Sequence, residues 1–184
     1  DISAKEIFEV LDHSKVTPSL TTGEDIIATF EDLKAKGYTH VIAIAISSGL
    51  SGTFNVIRNL SDSVDGLKIF VLDTKNISLG SGFLGLKAAE LVKEGQSFIE
   101  IVDYLQNNLE NSKVFFTVGT LDYLIRGGRI GMVAGTVANV LNIKPVISCN
   151  TEGIYHTVAK VRGYGRVIKR MIDTAAEFVK DHGL

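Results

Sequence analysis

The sequence predicts an α/β protein with a parallel-sheet first unit over residues 1–112 and a mixed second unit over 113–184. Three observations carry this. Short apolar runs without polar alternation, such as His40–Ile46 and Leu67–Leu72, fit strands covered on both faces. Helical spacing recurs between those runs, which is the strand–helix alternation of a parallel sheet. After residue 113 the pattern changes to two strands joined by Thr151-Glu152-Gly153, a hairpin turn and hence antiparallel pairing.

In chain order, residues 23–36 place Ile26, Ile27, Phe30 and Leu33 on one helical face, with Thr22 as N-cap and Gly37 as terminator. The His40–Ile46 strand follows. The loop Ser47–Gly52 leads into a helix near Phe54–Leu60. Leu67–Leu72 is the second strand, and a Gly-rich entry over Ser78–Gly85 opens a helix at Leu86–Lys93. Ser97 and Glu100 form a capping box for a helix reaching about Leu109. Lys113–Val118 reads as a third strand. Leu121–Ile125 reads as a helix stopped by Gly127-Gly128, and Val133–Leu141 as a further helix. Pro145–Ser148 and Ile154–Lys160 are the hairpin strands, and Arg166–Val179 is the last helix.

Composition narrows the function classes. The 184 residues are 45% hydrophobic and 22% charged, which excludes disorder and a disulfide-built miniprotein. The net charge of −2 argues against a general nucleic-acid binder. It hides an asymmetry: residues 1–112 hold 9 Lys/Arg and 16 Asp/Glu, whereas 113–184 hold 10 and 5. The single Cys149 sits in an apolar run and reads as core, in keeping with a reducing compartment. No apolar run approaches the ~20 residues of a membrane span, and no signal peptide is visible. The four histidines show no metal-ligand spacing, so no metal site is expected. Asp1 in place of Met, and an end soon after a helical pattern, read as a fragment of a longer chain.

Three stretches are candidate sites. Ser47-Ser48-Gly49-Leu50-Ser51-Gly52-Thr53 lies between a buried strand and a helix, at the carboxyl end of a parallel strand, where ligands bind. Helix N–H groups, glycines and hydroxyls there make a neutral cradle for a carboxylate or phosphate. The stretch is neither a phosphate-binding GxxxxGK[ST] loop, nor GxGxxG, nor a GxSxG elbow, and a plain glycine-rich turn stays open. Thr17–Glu24 is hydroxyl-rich and is either a capped helix entry or part of a site. Ile125–Ile130 places Arg126 and Arg129 around a glycine pair, either as a helix stop with cations at its negative end or as a phosphate or partner contact. No catalytic pair has a discernible third member; Asp73 reads as a turn residue before an acid. Gly82, Gly85, Ala88 and Ala89 fit tight helix–sheet packing, or room for an apolar tail.

Taken together and in order, these stretches resemble the DegV family of fatty-acid-binding proteins. Ser47–Thr53 matches SSGLSGT in full. Thr17, Thr21, Gly23 and Glu24 agree with a TSQPSPGE-type segment, while Pro18-Ser19-Leu20 departs from it. Val71–Thr74 with Ser78–Gly80 resembles the strand and helix entry that follow. Thr120–Leu124 with Arg126–Ile130 matches TLxYLxxGGRI. Leu141–Pro145 and Lys160–Gly163 match LNIKP and KVRG.

The resemblance implies a bacterial, cytoplasmic, non-catalytic lipid-binding protein without a cofactor. Its fold would be a Rossmann-like, EDD-type first domain lacking its N-terminal strand, plus part of a second α/β domain lacking its C-terminal part. A long-chain fatty acid would lie between the domains, its carboxylate held by Thr17 and by Ser48 or its neighbour Ser47. Arg129, with Arg126 nearby, would face an ATP-dependent fatty-acid kinase that forms the acyl phosphate for phospholipid synthesis. Burying about fourteen methylenes at ~0.8 kcal/mol each gains roughly 11 kcal/mol before ordering costs, so the head group is the demanding part. The alternative is an enzyme or sensor using the same loop on a small phosphorylated metabolite.

Overall fold

The structure, a computed structural model, describes residues 2–11, 16, 19–136 and 143–183. Helix α1 (Ala4–Val10) opens the chain. Apolar periodicity does not reveal it, although a local signal is present. Ser3 accepts from the Glu6 N–H while the Glu6 carboxylate accepts from the Ser3 N–H, a complete capping box.

Helix α2 (Gly23–Ala35) begins on Thr22, whose hydroxyl accepts from the Asp25 N–H as expected. Strand β1 (His40–Ala45), α3 (Thr53–Leu60) and β2 (Lys68–Asp73) form a parallel crossover unit paired from His40↔Lys68 to Ala45↔Asp73. Helices α4 (Leu79–Lys93) and α5 (Phe98–Asn107) follow, α5 on the expected Ser97–Glu100 box. The Gly-rich stretch is no separate entry to a helix: α4 already starts at Leu79 and runs through it. Gly80 must lack a side chain, because a Cβ there would fall 2.4 Å from the Asn76 carboxamide.

Side-chain packing explains why the strands do not alternate. Val41 and Ile69 face one way, onto Ile26, Phe30, Val64 and Leu67 around α2 and α3. Ile42, Ile44, Phe70 and Leu72 face the other way, onto Leu84, Ala88, Leu91, Ile101 and Leu105 of α4 and α5. Both faces are therefore apolar.

The second part contains α6 (Asp122–Arg126), a 3-10 stretch over Gly131–Thr136, β3 (Ile143–Cys149), β4 (Tyr155–Arg162) and α7 (Tyr164–Asp181). β3 and β4 pair antiparallel, as the Thr151–Gly153 turn implied, with an irregularity between Val146 and Ile147. Two expectations change here. Lys113–Val118 is not a regular strand: Phe116 alone makes a bridge, exchanging both backbone bonds with Ile147 at 3.0 and 2.8 Å. The β3–β4 register slips at that same point, Val146 facing Ala159 and Ile147 facing Thr157, so that Val158 of β4 is the extra residue beside the bridge. The Val133–Leu141 segment begins as 3-10 rather than α-helix, and residues 137–142 lie outside the described residues.

A third apolar cluster joins the two parts. Leu50, with Ile46 and Ile77 from the first, packs on Val133, Ile147, Cys149 and Tyr155 from the second. Among the described residues no helix is long and apolar enough to cross a membrane, and no group of His, Cys, Asp or Glu is placed to hold a metal.

Candidate functional site

The carboxyl ends of β1 and β2 are tied to each other before they are tied to anything else. The Thr74 hydroxyl donates to Ala45 O at 2.8 Å, and the Ser47 N–H donates to Asn76 O at 2.9 Å. Asn76, buried, donates from Nδ2 to Ser112 O at 2.7 Å and accepts the Ile77 N–H on Oδ1. This network fixes the Ser47–Thr53 loop against the turn that follows β2.

The two serines at the head of that loop have different surroundings. Ser47 is fully buried. Its hydroxyl donates to Gly153 O in the β3–β4 turn at 2.8 Å and accepts from the Gly49 N–H at 3.1 Å. Its proton is thus already committed. Ser48 is half-buried and lies beside a charged pair. Its N–H donates to Asp73 Oδ1 at 3.0 Å, and Lys75 Nζ donates to its Oγ at 3.1 Å. Lys75 Nζ also stands 2.8 Å from Asp73 Oδ2. Burial pushes the Asp73 carboxyl up. Hydrogen bonds from the Lys75 and Ser48 side chains and from both backbone N–H groups outweigh that, so it sits below its ordinary value.

The loop also consumes donors that a simple anion cradle would present. The Leu50 and Ser51 N–H groups bond to Ser47 O, and the Thr53 N–H bonds to Ser51 Oγ at 3.2 Å. Ser51 and Thr53 share a further hydroxyl contact at 2.8 Å. With Ser48 N on Asp73 and Gly49 N on Ser47, the donors left to a ligand here are chiefly hydroxyls. Nor is the loop's surrounding neutral, since Asp73 and Lys75 flank it.

The hairpin turn reaches this loop through two glycines. A Cβ on Gly49 would come within 2.9 Å of Gly153 O; one on Gly153 would lie 1.9 Å from Ser47 Oγ and 3.0 Å from Lys75 Cα. Backbone therefore meets backbone, and the turn of the second part seats on the loop of the first.

Beside that seat lies a cavity of about 320 Å³. From the first part it is walled by Leu20, Ile46, Leu50, Ser51 and Ile77. From the second it is walled by Tyr123, Leu124, Arg129 and Tyr155. Ser51, rather than Ser47 or Ser48, is the loop hydroxyl on its wall. Arg129 Nε donates to Leu50 O at 3.3 Å and its guanidinium also binds Gly127 O, so this arginine links the end of α6 to the loop. Arg126 is exposed and stands over the Tyr123 ring at 5.8 Å. Thr17 lies outside the described residues; Ser19 and Leu20, just after it, border the cavity. A larger hollow of about 690 Å³ runs along β1 beside Gly85, Ala88 and Ala89, the small residues of α4. Asp73, Lys75 and Gly153 join the site although sequence patterns do not assign them to it. Only Asp73 carries a signal, its place at a strand's carboxyl end.

Comparison with known proteins gives a consistent picture. Residues 1–183 match the family described as "uncharacterised protein, DegV family". A DegV domain-containing protein of Clostridium acetobutylicum is 41% identical over 172 residues, which are 94% of this chain and 61% of that protein. One from Staphylococcus aureus is 37% identical over 183 residues, covering 99% and 64%. The chain thus spans less than two thirds of the length of these relatives.

Among solved structures, a fatty-acid-binding DegV family protein from Streptococcus agalactiae superposes with TM-score 0.87 at 31% identity, covering 98% of this chain and 64% of its own. DegV of Bacillus subtilis, described as a fatty acid binding protein, gives 0.81 at 30%, covering 95% and 62%. A stearic-acid-binding protein from Eubacterium ventriosum gives 0.85 at 27%, covering 99% and 64%. The mixed α/β architecture is that of these proteins, and with the match running from the first residue to the last but one, this chain belongs to the DegV family.

Proposed function

We propose that this chain binds a long-chain fatty acid, as its solved relatives do. The carboxylate is held by hydroxyls of the Thr17 and Ser47–Thr53 loops, and the tail is shielded between a first unit, 1–112, and a second, 113–184. The observation that carries the reading is the apolar cavity at the seam, with the SSGLSGT loop and Arg129 on its wall. Its volume is at the lower end of the roughly 300–1,000 Å³ of ligand sites. Of the two serines, Ser48 is the ligand donor in this reading, since it is half-buried and its side chain, among the described residues, meets only the Asp73–Lys75 pair, whereas Ser47 is fully buried with its proton on Gly153 O. Ser47 then acts by keeping the hairpin turn against the loop.

In this reading the protein is a carrier and not a catalyst. It works in the cytoplasm and presents the acid to an ATP-dependent kinase that makes an acyl phosphate for phospholipid synthesis. Arg129 and the exposed Arg126 supply the cationic face such a partner or its phosphate would meet.

Organic extraction of the purified protein followed by mass spectrometry tests the first step. A fatty acid is expected at near-stoichiometric amount. Ser48→Ala and Thr17→Val each remove a hydrogen bond to a charged group, worth ~1.5–3 kcal/mol, or about ten- to a hundredfold in affinity. Unchanged retention in both variants would overturn the head-group assignment.

A further inference from the structure

Resting on that reading of Ser48, we propose that Lys75 is a positioning residue that lets this strand end accept an anion. It cancels the charge of Asp73 and occupies the acceptor side of the Ser48 hydroxyl. Asp73 shapes the loop, because its Oδ1 accepts both the Ser48 and Lys75 N–H groups, at 3.0 and 3.2 Å. A carboxylate fixed there stands one residue's reach from wherever the Ser48 hydroxyl would hold a second carboxylate. Two carboxylates at such a distance disfavour each other's charged forms. Lys75 Nζ, 2.8 Å from Asp73 Oδ2 and 3.1 Å from Ser48 Oγ, answers both needs. By donating to Ser48 it fills one lone pair, and by pairing with Asp73 it lets the O–H proton that Ser48 gives that carboxylate turn to a ligand oxygen instead.

The backbone supports a purposeful placement. Lys75 has φ +50, a left-handed conformation that glycine or asparagine would adopt at less cost. It is held there by its own N–H bond to Asp73 and by the Gly153 turn packed over its Cα. At 38% side-chain exposure the ammonium is reachable, whereas the Asp73 side chain, at 13%, is largely covered.

The test uses delipidated protein and two probes of equal tail, oleate and oleyl alcohol, titrated into wild type, Lys75→Met, Asp73→Asn and the double variant. Lys75→Met is expected to weaken oleate about tenfold while leaving the uncharged alcohol within about twofold, and the loss should grow at low salt. Adding Asp73→Asn, which keeps an oxygen for the two N–H groups, should restore oleate to near the wild-type affinity. Asp73→Asn alone leaves Lys75 unopposed and should tighten oleate severalfold, so the proposal stays testable even if Lys75→Met folds poorly. Equal loss of both probes, or no change in oleate with Lys75→Met and Asp73→Asn, would overturn the role of Lys75 and leave fatty-acid binding standing. Failure of wild type to bind either probe would overturn both.

Discussion

Gly153 is the most exposed test of how the two parts are joined, because a single methyl group there meets two separate costs. Gly153 has φ +77, so alanine carries the left-handed penalty of ~1–2 kcal/mol. The new Cβ would also sit 1.9 Å from Ser47 Oγ, a contact no rotation of a flexible tip relieves, since Ser47 is fully buried. The turn must lift and the Ser47 hydroxyl lose its acceptor, leaving a buried polar group unpaired at ~1–3 kcal/mol. The sum is about 2–5 kcal/mol, a large part of the ~5–15 kcal/mol that holds a domain folded. Gly66 is the internal control: its φ is +79, yet nothing lies within 4 Å of the position its Cβ would take. Urea unfolding of Gly66→Ala should therefore show only the backbone cost of ~1–2 kcal/mol. Gly153→Ala should exceed it by the value of the Ser47 contact. Combining Gly153→Ala with Ser47→Ala should cost less than the two alone, because both break the same bond. The reasoning is refuted if Gly153→Ala and Gly66→Ala unfold at the same urea midpoint with equal slopes.

Two further outcomes follow from buried titratable groups. His156 has a buried Nδ1 atom with no hydrogen-bond partner among the described residues, and burial, then the Lys113 charge, lowers its pKa below the ordinary 6.5. The folded state thus prefers the neutral ring. Stability should be complete above about pH 6.5 and fall as the pH drops below it, and His156→Gln should flatten that fall in pH-resolved denaturation. A slope unchanged by the substitution would exclude His156 as its source. Cys149 is 1% exposed and burial raises its thiol to about 11. Iodoacetamide at pH 8 should label it only as urea unfolds the chain; rapid labelling of the native protein would contradict that packing.

Local chemistry was legible wherever the partners are near in sequence. Thr22 and the Ser97–Glu100 box marked their helices because a cap closes on the N–H three residues ahead. The apolar runs of β1 and β2 marked a sheet covered on both faces because Val41 and Ile69 pack on one helix layer and Ile42, Ile44, Phe70 and Leu72 on the other. Lys113–Val118 misled for the same reason in reverse: its residues suit a strand, but whether a ladder forms depends on β3, about thirty residues on, which meets it only at Ile147.

By itself, then, the sequence determined the α/β class, the family through its ordered motifs, and the loop at which a ligand's head is to be sought. Only the tertiary structure distinguished Ser47 from Ser48, identical neighbours in one motif, because the acceptor that commits the Ser47 proton is Gly153 O, 106 residues away. It alone brought Lys75 to Ser48 and walled the cavity with side chains from both parts. A hydrogen bond between distant segments, or a cavity that they wall together, is a relation that no pattern within either segment encodes.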